Sequence, residues 1–351
     1  MRAARFYASG DIRIDEIPEP MAIPGTVKIR VEWCGICGTD LHEYTDGPIF
    51  CPSANTAHPL TGEKAPVVLG HEFAGTITEV GEGVSTHAVG DRVCVEPRVA
   101  CGSCPACRDS APNSCQSVAT IGLSGGGGGL AEFVVVEASL AFNIGDLSFE
   151  QGALVEPLAV AYHAISQARE PHIESAVVFG AGPIGLLITA VLIAQGCEQV
   201  VLVEPSAVRR ERGAAAGAHV LIDPMSQNAA SIITEFTDGS GVQVAFDCAG
   251  VDASLQGCME AVRPGGTIVN VAIRNASAKV DLMPLTLKEL RLVGTICYSG
   301  DHAAVIELLS SGKLQIEHII TKKIDLADLI SEGFTALLEE NENHAKILVR
   351  P

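Results

Sequence analysis

SAVVFGAGPIGLLITAVLIAQGCEQVVLVE, residues 175–204, decides the fold. An apolar run enters Gly180-Ala-Gly182-Pro-Ile-Gly185, a small-residue and apolar stretch follows, and a second run, VVLV, ends in Glu204. No charge falls between Ser175 and Cys197, which imitates a membrane span. The glycines and Pro183 nevertheless cut it into strand, tight turn and helix, and the part after Pro183 is shorter than the ~20 residues a span needs. Glycines at this spacing let a pyrophosphate approach the backbone, where the helix N-terminus offers unpaired N–H groups. Glu204, nineteen residues beyond Gly185, suits the two adenosine-ribose hydroxyls of NAD and repels a 2′-phosphate. Arg209 and Arg210 follow closely and can pair with Glu204 or with a phosphate. Pro183 and Ile184 in the turn, and Ala249 and Val271 near the ends of later strands, are further candidate cofactor contacts.

Working outward, apolar strands at Ser175–Phe179, Gln199–Val203, Val242–Asp247, Thr267–Val271 and Arg291–Ile296 alternate with alanine-rich helical stretches. This is the pattern of a doubly wound parallel sheet. Residues 1–150 differ: alternating segments at Thr26–Trp33, Phe73–Val80, Asp91–Val95 and Ala131–Val136 lie between Gly and Pro turns and predict a β-rich unit. After Ile296 come two predicted helices, Asp301–Ser311 and Leu326–Glu339, and a closing strand, Ala345–Val349. That tail is too short to stand alone and is expected to rejoin the first unit. The expected division is a β-barrel-like catalytic domain over 1–155 and 297–351 and a nucleotide domain over 156–296. Gly125–Gly129 reads as a mobile loop.

A chain of 351 residues with 47% hydrophobic and 19% charged residues is globular and long enough for two domains. The 23 basic residues against 42 acidic ones leave a net charge of −19, which argues against nucleic acid or an anionic membrane surface as partner. The N-terminal MRAARFYASGDIRIDE has no apolar signal core, so a cytoplasmic protein is expected. In that compartment twelve cysteines point to metal or catalysis and not to disulfides.

Four of them, Cys101-x2-Cys104-x2-Cys107-x7-Cys115, supply the thiolates of a closed tetrahedral zinc site. With four protein ligands it leaves no position for substrate, so its role is scaffolding. A catalytic metal needs about three protein ligands and an open position. Candidates are Cys37 in CGICGTDLH, His71 and Glu72 in LGHEFAG, and Glu156 in ALVEPLAV.

These motifs carry a resemblance. Gly70-His71-Glu72-x2-Gly75-x5-Gly81-x2-Val84 resembles the signature of zinc-containing medium-chain dehydrogenases, and the likeness covers nearly the whole chain. Within that family the chain is most similar to (R,R)-2,3-butanediol dehydrogenases, through the insert Glu43–Glu72 and the segment GLSGGGGGLAE, Gly122–Glu132. The resemblance implies a GroES-like catalytic domain with a Rossmann domain, two zinc ions per chain, NAD, and a homodimer or homotetramer joined near Arg291–Ile296. It makes Cys37 and His71 zinc ligands and sets Glu156 where liver-type enzymes have a third Cys. Glu72 stands where relatives either bind zinc or place a residue just behind it.

The implied reaction is reversible oxidation of a vicinal diol to a hydroxyketone, in a cleft between the domains. Zinc would lower the pKa of the alcohol, hydride would pass to the nicotinamide, and the proton would leave through Thr39 and His42. Where sorbitol dehydrogenases end a strand near the substrate in Arg-Tyr, this chain reads Ile296-Cys297-Tyr298. Losing that guanidinium suits a short, less polar diol. The insert after His42 and Tyr298 are expected to help wall the site. Rival readings are a sorbitol-like or threonine dehydrogenase, or a non-catalytic zinc-binding relative, against which the retained Thr39 and His42 speak.

Overall fold

The computed structural model describes residues 1–274 and 277–351. They form two compact units, one of residues 1–156, 302–310 and 320–351, the other of residues 157–301 and 311–319.

The second unit is built on six strands in the order Val220–Ile222, Gln199–Val203, Ser175–Phe179, Val242–Asp247, Val262–Asn270, Arg291–Gly294, every pair parallel. Ser175–Phe179 and Val242–Asp247 are buried along their whole length, as strands are when helices cover both faces of a sheet. The first crossover is the helix Pro183–Ala194, with proline at its start, where a missing N–H costs nothing. The chain order reverses between Ser175–Phe179 and Val242–Asp247, and the loops at their carboxyl ends flank the crevice where such sheets take ligands. This is a doubly wound Rossmann sheet. Val220–Ile222 escaped the sequence reading because three residues are too few for a period.

In the first unit one strand is the hub. Thr26–Gly35 pairs antiparallel with Glu72–Val80, with Phe133–Glu137 and with Lys346–Arg350. The sheet continues through Arg92–Val95 to Ala141–Asn143 on one side and to Ile320–Asp325 on the other. Two register breaks, at Lys28/Ile29 and Val31/Trp33, let the hub strand bend as it changes partners. Phe6, Ile29, Leu69, Phe73, Ile77, Leu130, Phe334 and Ile347 fill the core. An N-terminal hairpin, Arg2–Ala8 with Asp11–Glu16, ties Leu69 and Leu130 together through Ala4.

Two sequence expectations are corrected here. Leu326–Glu339 is no single helix: a 3₁₀ turn, a π turn over Leu329–Phe334 and a short α-helix follow one another. The widened turn buries Leu329 and Phe334 together, and it is possible because a side chain at Gly333 would press on Ile36 and Ile324. Nor is the glycine run open along its whole length. Gly128 and Gly129 are buried against the backbone of Val68 and Leu69 and the ring of Phe73, and the Gly129 N–H donates to Gly70 O at 2.7 Å. Small residues are needed because two backbones are packed in contact beside His71. Among the described residues no helix is long and apolar enough to cross a membrane.

Candidate metal centres and nucleotide site

The four clustered cysteines converge. Their sulfurs lie within 4.8 Å of one another, with Cys104–Cys107 at 3.5 Å and Cys101–Cys107 at 4.0 Å. Zinc–sulfur bonds of about 2.3 Å in a tetrahedron place sulfurs roughly 3.8 Å apart, so the donor set fits the metal. Backbone N–H groups already point at these sulfurs: Cys104 at Cys101 (3.3 Å), Cys101 and Ser117 at Cys115 (3.3 and 3.4 Å). Bonds from Ser103 and Cys104 lower the Cys101 thiol to about 6, and backbone bonds lower Cys104. Burial and neighbouring sulfurs push Cys107 up to about 12. The loop thus favours thiolates at two positions, and a cation is what lets all four ionise together. All twelve cysteines are free thiols.

The second centre grows from the helix Gly38–Asp46. Cys37 is its N-cap, and Asp40 reaches back to the Cys37 N–H at 2.9 Å. His71 enters the strand Glu72–Val80 directly after Gly70, and donor atoms of Cys37, His71 and Glu72 lie within 4.8 Å of one another. Nδ1 of His71 and Oδ1 of Asp40 are buried, 3.7 Å apart and lack a hydrogen-bond partner. Burial opposes a charged imidazole, but Asp40, Cys37 and Glu156 outweigh it and hold His71 well above its ordinary range. A place where anions pull a proton onto a buried imidazole is a place that attracts a divalent cation, so these residues also fit zinc. Glu156, near the start of the helix Val155–Ser166, lies outside the close trio, yet its charge is felt at both His71 and Lys346.

Lys346 escaped the sequence reading. Its ammonium donates to both Glu72 oxygens, at 2.7 and 2.6 Å, and to Ile36 O at 3.0 Å, and both side chains are buried. Gly35 makes the room: a Cβ there would sit 2.1 Å from Glu72 Oε2. A lysine heading an apolar strand reads as an exposed strand end, and 274 residues separate it from Glu72. Asp40 also went unnoticed, although it stands inside the quoted CGICGTDLH. Thr39 Oγ1 accepts from the Cys37 thiol at 3.7 Å, and His42, one turn on, is exposed.

In the nucleotide unit Gly180 ends the first strand, and a Cβ there would meet Ala249 N at 3.0 Å across the sheet's switch point. Gly185 packs its backbone on Gly180 O, closer than any side chain allows, and Gly182, Pro183 and Ile184 form the turn and first helical residues. The buried Glu204 carboxylate accepts from Ala181 N (2.8 Å) and Ser206 N (3.0 Å), so it braces the glycine turn. Arg210 bonds the carbonyls of Glu204 and Pro205 and not the carboxylate; Arg209 lies on the helix Ala207–Ala215. Val271 N donates to Asp247 O, and Ala249 N to the Asp247 carboxylate, which Arg274 also holds at 2.7 Å. Asp247 and Arg274 are a second pair the sequence reading missed. Tyr298, also carried by this unit, is buried.

A closed four-thiolate site, a Cys–His–carboxylate centre and a Rossmann turn define a zinc-binding, dinucleotide-dependent dehydrogenase. Residues 23–146 match the alcohol dehydrogenase GroES-like domain and residues 183–311 the zinc-binding dehydrogenase domain. The chain is 44% identical to an (R,R)-butanediol dehydrogenase of Neisseria gonorrhoeae, covering 100% of this chain and 99% of the relative. A crystal structure of 2R,3R-butanediol dehydrogenase from Bacillus subtilis superposes with a TM-score of 0.94 at 44% identity, over 100% of this chain and 99% of that one. A sorbitol dehydrogenase of Bacillus subtilis is 33% identical over 100% of this chain and 97% of its own length. The chain belongs to the zinc-binding alcohol dehydrogenase family. It is an NAD-linked, zinc-dependent alcohol dehydrogenase.

Metal analysis should give two zinc ions per chain. Cys104→Ser is expected to lose one and lower thermal stability while the soluble fraction keeps some turnover. His71→Ala is expected to lose the other and nearly all turnover with the fold intact; full activity in that variant would remove His71 from the centre. Glu204→Ser should narrow the NAD/NADP preference mainly through cofactor KM, about tenfold for each 1.4 kcal/mol of lost discrimination. A wild-type enzyme that uses both cofactors equally would contradict that role.

Proposed function

We infer that the enzyme interconverts a vicinal diol and its hydroxyketone, of the (R,R)-2,3-butanediol/acetoin type. The observation that carries this is full-length likeness at 44% identity to (R,R)-butanediol dehydrogenase, against 33% to sorbitol dehydrogenase.

Cys37, His71 and Glu156 are the residues we assign to the catalytic zinc. Charge balance supports the choice: a thiolate and one carboxylate neutralise a divalent ion, while Glu72 is already neutralised by Lys346. Zinc supplies a Lewis acid that lowers the pKa of a hydroxyl, and NAD supplies a hydride acceptor. Asp40 fixes Cys37 through its N–H and faces the His71 ring, holding both in place. Thr39, beside Cys37, would accept the hydroxyl proton, and His42, exposed one turn along the same helix, would release it to water. A second substrate hydroxyl could donate to a carboxylate of this centre, a hydrogen bond that a monoalcohol cannot make.

The free thiols suit the reducing cytoplasm. Arg291–Gly294 is an edge strand, with Leu282, Met283, Leu287 and Leu292 exposed beside it in the same unit, and we assign this edge to pairing with a second copy. Leu292→Lys should shift the mass seen by light scattering towards monomer; a wild-type monomer at micromolar concentration would refute the pairing.

Steady-state kinetics on (R,R)-, (S,S)- and meso-butanediol, 2-butanol, sorbitol and threonine test the substrate. kcat/KM for the (R,R)-diol should exceed that for 2-butanol by at least about tenfold, the conservative cost of one lost buried hydrogen bond. Sorbitol or threonine as the best substrate would overturn the diol reading.

A further inference from the structure

We propose that Glu43 is a positioning residue for substrate selection: its carboxylate latches the segment Ile49–Cys51 so that Ile49 and Phe50 present a fixed apolar wall beside the Cys37–His71 centre. The proposal deepens the diol reading and rests on it.

Glu43 is fully buried on the helix Gly38–Asp46. Its oxygens accept from three consecutive backbone N–H groups: Oε2 from Ile49 at 2.9 Å, and Oε1 from Phe50 and, at 3.1 Å, from Cys51. A buried carboxylate is tolerated only when its lone pairs are filled, and charge-assisted bonds are the strong kind. The donors come from a segment that belongs to no helix or strand, so this carboxylate supplies the order that a sheet or helix would otherwise give. Gly47 tightens the arrangement. Its N–H donates to Glu43 O at 3.0 Å, and a Cβ on it would lie 2.3 Å from that oxygen and 2.6 Å from the carboxylate.

The latch sits next to the chemistry. Asp40, which binds the Cys37 N–H and faces His71, precedes Glu43 by three residues on the same buried face of the helix. Burial chiefly, then the charges of Glu43 and Asp40, push the Cys51 thiol up, so that residue lies within reach of both. Thr39 and His42 ride on the same helix. Cys51 and Pro52 are buried, yet Ile49 and Phe50 are left 51% and 46% exposed. Large apolar side chains anchored through their backbone N–H groups and left exposed, on the segment that follows the helix of Thr39, Asp40 and His42, suit a substrate that brings apolar ends to a pair of hydroxyls. The two methyl termini of 2,3-butanediol fit that description, and the hydroxylated chain of a hexitol does not.

The test uses the zinc-loaded enzyme. Glu43→Gln keeps the shape but turns an N–H donor towards N–H groups. It should raise KM for (R,R)-2,3-butanediol about tenfold and lower the diol/sorbitol kcat/KM ratio by a similar factor, with KM for NAD changed less than about twofold and both zinc ions retained. Phe50→Ala removes an exposed side chain without touching the latch, so it decides the matter should Glu43→Gln fail to fold. It should reproduce the rise in diol KM at unchanged thermal stability. An unchanged diol KM in either folded variant, or a Glu43→Gln defect that falls equally on NAD, overturns the proposal. A wild-type preference for sorbitol or threonine defeats instead the reading beneath it, before any variant is compared.

Discussion

A carboxylate as deeply buried as Glu72 needs a counter-charge, and it receives one from Lys346, with both oxygens engaged. Removing one partner of such a pair costs about 3–5 kcal/mol, a large part of the stability of a typical domain. Several features of the first unit serve that contact. The hub strand Thr26–Gly35 carries Glu72–Val80 on one side and Lys346–Arg350 on the other, with Gly35 opposite Glu72 and also opposite Leu348. Gly35 must lack a side chain so that the carboxylate can lie beside it. The Ile36 carbonyl takes a further ammonium proton. One ion pair therefore fixes where the final strand docks and sets the charge of the centre beside it.

The Rossmann unit was largely legible in the sequence. Ser175–Phe179, Gln199–Val203 and Val242–Asp247 appear at the predicted residues because long apolar runs between glycine turns have few other ways to fold. Strands without a long apolar run of their own were not legible. Val220–Ile222 and Ile320–Asp325 owe their existence to the neighbours they pair with and not to their own pattern. The glycine run misled for a related reason: flexibility is a property of Gly alone, whereas close packing depends on what lies opposite, here Gly70 and Phe73. At the site, residues whose chemistry is unusual for their setting were found by motif, namely Cys37, His71 and the four clustered cysteines. Residues that act by neutralising or orienting others, Asp40, Lys346 and Arg274, look ordinary in one dimension. Only a three-dimensional partner gives them a role.

The two groups that could hold a metal are built on different principles. The four-cysteine loop gathers its donors from fifteen consecutive residues and orients them with its own backbone N–H groups, so it can form locally. The Cys37 group draws on a helix N-terminus and a strand entry far apart in sequence, and its electrostatics involve Asp40, Glu156 and Lys346 as well. A closed thiolate site suits permanence, and a mixed donor set suits exchange of a fourth ligand at every turnover.

The long sequence separation of Glu72 and Lys346 has a consequence for biosynthesis. Translation delivers the acid well before the base. A nascent chain can pair Thr26–Gly35 with Glu72–Val80 early, but until Lys346 emerges the carboxylate beside Gly35 must remain hydrated or take up a proton. Docking of Lys346–Arg350 brings the ammonium that neutralises Glu72, so the order of synthesis makes this charge pairing one of the last contacts the chain can complete.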